Sequence, residues 1–221
     1  MTARKAYVTL VGDMIGSREV EDRSGLQESL REALWVVNQV LRPPQPLEPT
    51  VGDEFQGVFA DVGAGMRATL LVRLQLLKDR EVDSRYGLGF GDVTVFEDRV
   101  PISQDGPGWW SARAAIELAK NMESDPQMAF VRTRFDSHRF EGFQSAAEVG
   151  LLNATLTYRD ALIAKMRPRS RRLLLGMLLN KPQSALAREE RISQSAVSQN
   201  LAASGAYAIA AADYELGRMS F

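Results

Sequence analysis

Two stretches put carboxylates beside glycine at the ends of apolar runs. They are Val8-Thr9-Leu10-Val11-Gly12-Asp13 and Thr50-Val51-Gly52-Asp53-Glu54-Phe55-Gln56-Gly57-Val58-Phe59. Carboxylates are hard oxygen donors suited to Mg²⁺ (or Mn²⁺), which takes one or two of them together with substrate phosphates. Two such ions can clamp the attacking and leaving oxygens of a phosphoryl displacement. The second stretch suits a β-hairpin with Gly52 at its tip. Strand side chains alternate, so Asp53 and Glu54 are expected to point opposite ways, one into a site and the other outward. Near Asp13, the loop-like Gly12, Gly16, Ser17 and Arg18 offer backbone N–H groups and a cation to a triphosphate, and Gly52 allows close approach. The competing readings are structural: Asp13 as a turn cap, and Glu54 in a surface ion pair.

Composition narrows the chemistry further. The 221 residues are 45% hydrophobic and 25% charged, with no cysteine and one histidine, His138. Disulfides, thiolate metal sites and cysteine nucleophiles are excluded, and a Ser-His-Asp triad or histidine-rich metal site is disfavoured. No apolar run approaches the roughly 18 residues of a membrane span, and the first residues lack the apolar core of a signal peptide. A cytoplasmic protein without membrane contact is expected. Charge is uneven: from residue 161 onward nine Lys/Arg face four acids, a net of +5, against −6 for the remainder. A basic C-terminal part on an acidic body fits a nucleic-acid-binding appendage.

The elements that must position these residues follow from periodicity. Tyr7 to Val11 reads as a buried strand. A helix from about Ser24 or Leu26 to Leu41 carries Leu26, Leu30, Leu34, Val37 and Leu41 at helical spacing. Leu47 to Val51 and Phe55 to Ala60 form the hairpin, and a second helix runs from about Gly63 to Leu77. Tyr86 to Gly91 is a strand weakened by three glycines, which signals either tight packing or a ligand alongside. A third helix over Trp109 to Asn121 and an edge strand at Met128 to Val131 complete the domain. The order predicts an α+β, ferredoxin-like βαββαβ domain over residues 1–140, with helices on one face of an antiparallel sheet. From Ala146 onward the chain is expected to be almost wholly helical, with residues 141–221 forming a helical region that holds a helix-turn-helix DNA-binding domain.

VGDEFQGVF resembles the GGDEF-type signature of nucleotidyl cyclases, whose palm fold is shared with class III cyclases and many polymerases. VGDMIGSR, VGDEFQG, GLGFGDV and DGPGWWSAR together resemble the SatD family of bacterial proteins more closely, over essentially the whole chain. The resemblance implies a palm-like domain of nucleotidyl cyclase type followed by a helical, DNA-binding tail. It implies that Asp13 and Asp53 are the metal ligands and catalytic carboxylates, and that Arg18 is a phosphate contact. Val51 stands where the signature has its first glycine, and Ile15 where a second aspartate is usual. The departures favour binding over turnover. Asp105, ahead of the third helix, is either a further ligand or a residue of the turn into that helix.

Gln183 to Leu201 reads as a helix-turn-helix. Ser193 caps its second helix, Ala196, Val197 and Leu201 form the buried side, and Gln194, Ser195, Ser198 and Gln199 face outward, where they can hydrogen-bond base edges. Arg167, Arg169, Arg171 and Arg172 are upstream phosphate contacts. Ala202 to Leu216 is expected to be one alanine-rich helix serving a homodimer. The expected function is a regulator coupling a metal- and nucleotide-binding palm to duplex DNA. The alternatives are a two-metal nucleotidyl cyclase or transferase, or a degenerate palm acting as a dimerisation scaffold.

Overall fold

Strand β1 (Tyr7–Met14) is the middle of a five-stranded sheet, and the alternation of its side chains decides what packs on either side. The computed structural model describes residues 6–79, 81–95, 104–137 and 146–218. His138 and the expected domain boundary at 140/141 lie outside them. β1 runs further than expected, so Gly12 and Asp13 are strand residues and not loop. A 3-10 turn at Ser17–Glu19 leads into α1 (Arg23–Leu41), whose first turn is capped by the Asp22 carboxylate accepting from the Gly25 N–H. β2 (Gln45–Pro49), β3 (Glu54–Phe59), α2 (Val62–Asp79) and β4 (Ser84–Gly91) complete the βαββαβ order. The sheet order β2-β3-β1-β4, antiparallel throughout, is that of the ferredoxin-like split arrangement.

Val8, Leu10 and Met14 point into the main core with Leu30 and Leu34 of α1 and Met66 and Leu70 of α2. Val11 points the other way and, with Val58 of β3, meets Trp109, Ala112 and Ile116 of α3 (Pro107–Glu123). Helices therefore cover both faces, correcting the expectation of one covered face. The reason lies in Gly87, Gly89 and Gly91, which alternate along β4 on the α3 side. A Cβ at Gly89 would lie 3.0 Å from the Ala112 Cα, and one at Gly91 would lie 2.8 Å from the Gly108 nitrogen. Without side chains there, α3 rests directly on the strand. The three glycines serve helix packing.

Two short strands, β5 (Thr94–Val95) and β6 (Gln104–Asp105), pair just before α3. After it, Met128 to Val131 is a turn and not the expected strand. The edge strand is β7 (Thr133–Asp136), which pairs parallel to β4, so the sheet is mixed. Its outer edge is closed by α4 (Ala146–Lys165). The Asn153 amide both donates to the Phe135 carbonyl and accepts its N–H, each at 2.9 Å, and Asp160 accepts the N–H groups of Arg132 and Thr133. An otherwise exposed sheet edge is thereby satisfied by side chains.

The chain ends in α5 (Pro168–Leu178), α6 (Gln183–Glu190), α7 (Gln194–Ala203) and α8 (Ala206–Leu216). The single helix expected over Ala202 to Leu216 is broken at Gly205, whose φ of 76° puts it in the left-handed region. α8 is not a free helix: it packs on α2 and buries Ala206, Ile209 and Asp213.

Candidate functional site

The register of β1 sets a row of charge across three strands. Asp13 lies opposite Glu54 on β3 and opposite Arg85 on β4. Cross-strand partners project from the same face, so Glu54 shares the face of Asp13 instead of turning away from it. Two like charges placed side by side are unfavourable, and Arg85 relieves them: its Nε donates to the Asp13 carboxylate at 2.9 Å and its Nη1 to Glu123 at 3.0 Å. Asp53 precedes the strand and lies in the hairpin turn. There the Ser17 hydroxyl donates to its Oδ2 at 2.5 Å, while Gln27 of α1 donates to the Gly52 carbonyl at 2.8 Å.

These two bonds tie the β1–α1 loop and the first turns of α1 to the hairpin turn. Gly16 and Gly52 both have positive φ, 69° and 68°, with open space where a Cβ would stand. Ser17 is buried, Asp53 half-buried and Arg18 exposed. Gly16, Ser17, Arg18, Gly52 and Asp53 thus gather at the end of the sheet that carries Asp13 and Glu54. Gly12 has a different reason to be glycine, because a Cβ there would run into the Phe55 ring. Asp105 lies beyond the opposite end of β1. Tyr7 pairs with Gly91 just ahead of it, six residues or about 20 Å along the strand from Asp13. Its Oδ1 accepts from the Gly106 N–H at 2.8 Å and from the Trp110 Nε1–H at 2.6 Å, as a residue of the turn into α3.

A divalent metal held by the protein alone does not fit this arrangement. Asp13 is engaged by Arg85 and Asp53 by Ser17, and no group of three or more His, Asp or Glu among the described residues could hold an ion. What remains is a small acidic step with a guanidinium beside it and an open, glycine-bounded rim. Backbone N–H groups and Arg18 at such a rim can bind phosphate oxygens.

The larger part of the charge chemistry was not anticipated. From Asp13 an ionic chain runs through Arg85, Glu123, Arg132, Asp83 and Arg73 to Asp160. Arg73 and Asp160 are almost wholly buried, 1% and 0% exposed. Burial alone would push the Asp83 carboxyl up, but the Arg73 guanidinium and then Arg132 outweigh it and hold it below the usual carboxylate range. The signal was present in Leu70-Leu71-Val72-Arg73-Leu74-Gln75-Leu76-Leu77, a cation inside an apolar helical run, which requires a buried partner.

In the C-terminal part, α6 and α7 are joined by a three-residue turn. Arg191 takes the left-handed conformation, Ile192 N–H bonds back to the Ala187 carbonyl, and Ser193 Oγ accepts the Ala196 N–H. Val197 and Leu201 are buried; Gln194, Ser195 and Gln199 are exposed and Ser198 is half-buried. Of the four upstream arginines, Arg167 is exposed, while the other three make contacts within the molecule. Arg171 donates to the carbonyls of Ile163 and Ala164, while Arg172, and at 3.5 Å Arg169, bind Glu190. Arg188 and Arg191 are exposed and form no ion pair among the described residues.

The sequence profile of the SatD family matches residues 7–209. The chain belongs to the SatD family. No curated protein matches it. Among solved structures, this SatD-family chain is similar to a bacterial light-regulated adenylyl cyclase at 14% identity and a TM-score of 0.42, over 53% of the chain and 41% of that structure. It therefore spans less than half the length of that protein. The adenylyl cyclase CyaB from P. aeruginosa is similar at 16% identity and a TM-score of 0.40, over 50% and 70% of the two chains. An adenylate/guanylate cyclase/hydrolase from Silicibacter pomeroyi follows at 21% and 0.40, over 49% and 67%. Among the described residues no helix is long and apolar enough to cross a membrane.

Proposed function

We propose that this SatD-family chain is a regulator in which a palm-like, nucleotide-binding domain is coupled to a helix-turn-helix that contacts duplex DNA. The observation that carries the reading is the division of α7. Val197 and Leu201 hold it to the body, while Gln194, Ser195 and Gln199 are presented on its first turns beside exposed Arg188 and Arg191. Amide and hydroxyl side chains at the head of a helix are suited to base edges in a major groove, and exposed guanidiniums to the flanking phosphates. A dimer reading two half-sites would raise the affinity of one such module. Nucleotide is assigned to the rim of Gly16, Ser17, Arg18, Gly52 and Asp53, with any Mg²⁺ arriving with the triphosphate.

The test is fluorescence anisotropy of labelled duplex DNA from the gene's own promoter, with each nucleoside triphosphate present or absent. Salt-sensitive binding that shifts with one triphosphate is expected. No binding at low salt would overturn the reading.

A second reading, nucleotidyl cyclisation or transfer, is favoured by the Asp13–Glu54 pairing on one sheet face. It requires Arg85 to yield Asp13 to the reacting phosphate. Pyrophosphate release from a triphosphate with Mg²⁺ or Mn²⁺, abolished by Asp13→Asn and Asp53→Asn, would place it first.

A further inference from the structure

An open cavity of about 600 Å³ lies where the α4–α5 junction meets the α7–α8 junction. Lys165, Arg167 and Ser170 line it from the first junction and Gly205 from the second, so the N-terminal ends of α5 and α8 both open on it. We propose that this cavity binds a small phosphomonoester, its phosphoryl group held between those two helix ends by Lys165 and Arg167.

The charge of the site argues for an anion. Lys165 and Arg167 are exposed and form no ion pair among the described residues. No carboxylate offsets them: no acid lines the cavity, and the segments around it, 161–188 and 191–212, contain no Asp or Glu. Glu189 and Glu190, which lie between those segments, are paired with Lys181 and Arg172.

Hydrogen-bond donors are in surplus too. The first N–H groups of a helix have no partner within it. Those of Arg169 and Ser170 in α5, and of Ala206 and Tyr207 in α8, have no acceptor among the described residues. The carbonyls of the helix ends that meet them are already used. Arg171 takes those of Ile163 and Ala164 from α4, and Ser204 takes those of Asn200 and Leu201 from α7. Ser170 is an independent sign. It is only 4% exposed, it lines the cavity, and its hydroxyl has no partner among the described residues, which leaves it to donate into the cavity. Helix N-termini hold anions through such N–H groups and the helix dipole. A phosphomonoester carries about −1.5 to −2 charge and three acceptor oxygens, which matches two cations and this set of donors better than a carboxylate does.

The volume falls within the roughly 300–1,000 Å³ of small-ligand sites and exceeds a phosphoryl group, so an organic body fits against Leu162, Met166 and Ala203. The cavity is at the end of α7 away from Gln194, roughly 14 Å along the helix, and is separate from the face assigned to DNA. Its occupancy would brace the junctions that seat α7. The inference does not depend on DNA binding.

Calorimetric titration of the full chain in phosphate-free, low-salt buffer tests it, with phenyl phosphate, inorganic phosphate and neutral phenol as probes. Saturable one-to-one binding of phenyl phosphate is expected, with inorganic phosphate weaker and phenol weaker by about tenfold or more, the usual worth of hydrogen bonds to a charged group. Lys165→Ala/Arg167→Ala and, separately, Ala203→Glu, which sets a carboxylate at the exposed rim, should each weaken phenyl phosphate by about tenfold or more with circular dichroism unchanged. Arg113→Ala/Lys120→Ala removes the same charge from the exposed side of α3 and should leave binding unaltered. No binding of either phosphate probe, phenol binding as well as phenyl phosphate, binding that survives either cavity variant, or an equal loss in the α3 variant would overturn the proposal. Inorganic phosphate binding as tightly as phenyl phosphate would mark a free-anion site and overturn the assignment to a phosphomonoester. Duplex DNA binding lost in Lys165→Ala/Arg167→Ala, with neither phosphate probe bound, would assign the two cations to the DNA backbone instead.

Discussion

Replacing Asp160 by asparagine tests how the helical part is fastened to the βαββαβ domain. The carboxylate is completely buried. One oxygen lies 3.1 Å from Arg73 Nη1, and the other accepts the Arg132 and Thr133 N–H groups at 2.9 and 2.7 Å. Asparagine preserves the shape but removes the charge and sets an NH₂ group against a guanidinium. Breaking a buried ion pair costs about 3–5 kcal/mol, because the remaining charge is left uncompensated. Here Arg73 keeps two bonds to Asp83, at 2.7 and 3.0 Å, so the loss belongs at the lower end, about 3 kcal/mol. With a urea slope of about 2 kcal/mol per molar, the unfolding midpoint should fall by about 1.5 M. Tryptophan fluorescence and circular dichroism would report it. The exposed Lys181–Glu189 pair is the control: Glu189→Gln should change stability by less than about 0.5 kcal/mol. A midpoint shift for Asp160→Asn below about 0.5 M would refute the assignment of this contact as the fastening point.

Other outcomes follow from the same geometry. Gly89→Ala should destabilise by at least about 1–3 kcal/mol, since its methyl meets the α3 backbone and not a flexible side chain, and urea unfolding would show it. Acid should weaken the fold through Asp83. Its folded pKa is lower than its unfolded value, so its contribution is complete above about pH 4 and is lost as pH falls through the folded value. Urea midpoints from pH 6 down to pH 2 should show a drop below about pH 4 that is shallower in Asp83→Asn. Ser193→Ala should cost about 1 kcal/mol by removing the α7 cap, measured by thermal or urea unfolding.

The βαββαβ order was legible because each helix and strand carried its own period, as in Leu26, Leu30, Leu34 and Val37 of α1. The hairpin with Gly52 at its tip was legible for the same local reason. β7 was not. Thr133-Arg134-Phe135-Asp136 has one large apolar residue, and its pairing depends on Asn153 and Asp160 arriving from a distant helix. The glycine strand was ambiguous by itself, and only the small face of α3, with Gly108 and Ala112 against it, decides between packing and ligand. Around the acids, sequence brought the right stretches together but not the register. Whether Asp53 or Glu54 stands opposite Asp13 depends on β3 beginning at Glu54, a one-residue matter that alternation cannot settle. Arg85 escaped notice because a single arginine at the start of a strand has no local signature.

The account turns most directly on α7. Anisotropy of duplex binding at about 50 and 200 mM salt should be compared for the unaltered chain and for Gln194→Ala/Gln199→Ala, two exposed residues whose loss removes no packing. The account predicts binding that weakens with salt and is reduced about tenfold or more by the double substitution, with stability unchanged. Binding that is absent, insensitive to salt, or equal in the two proteins would contradict it.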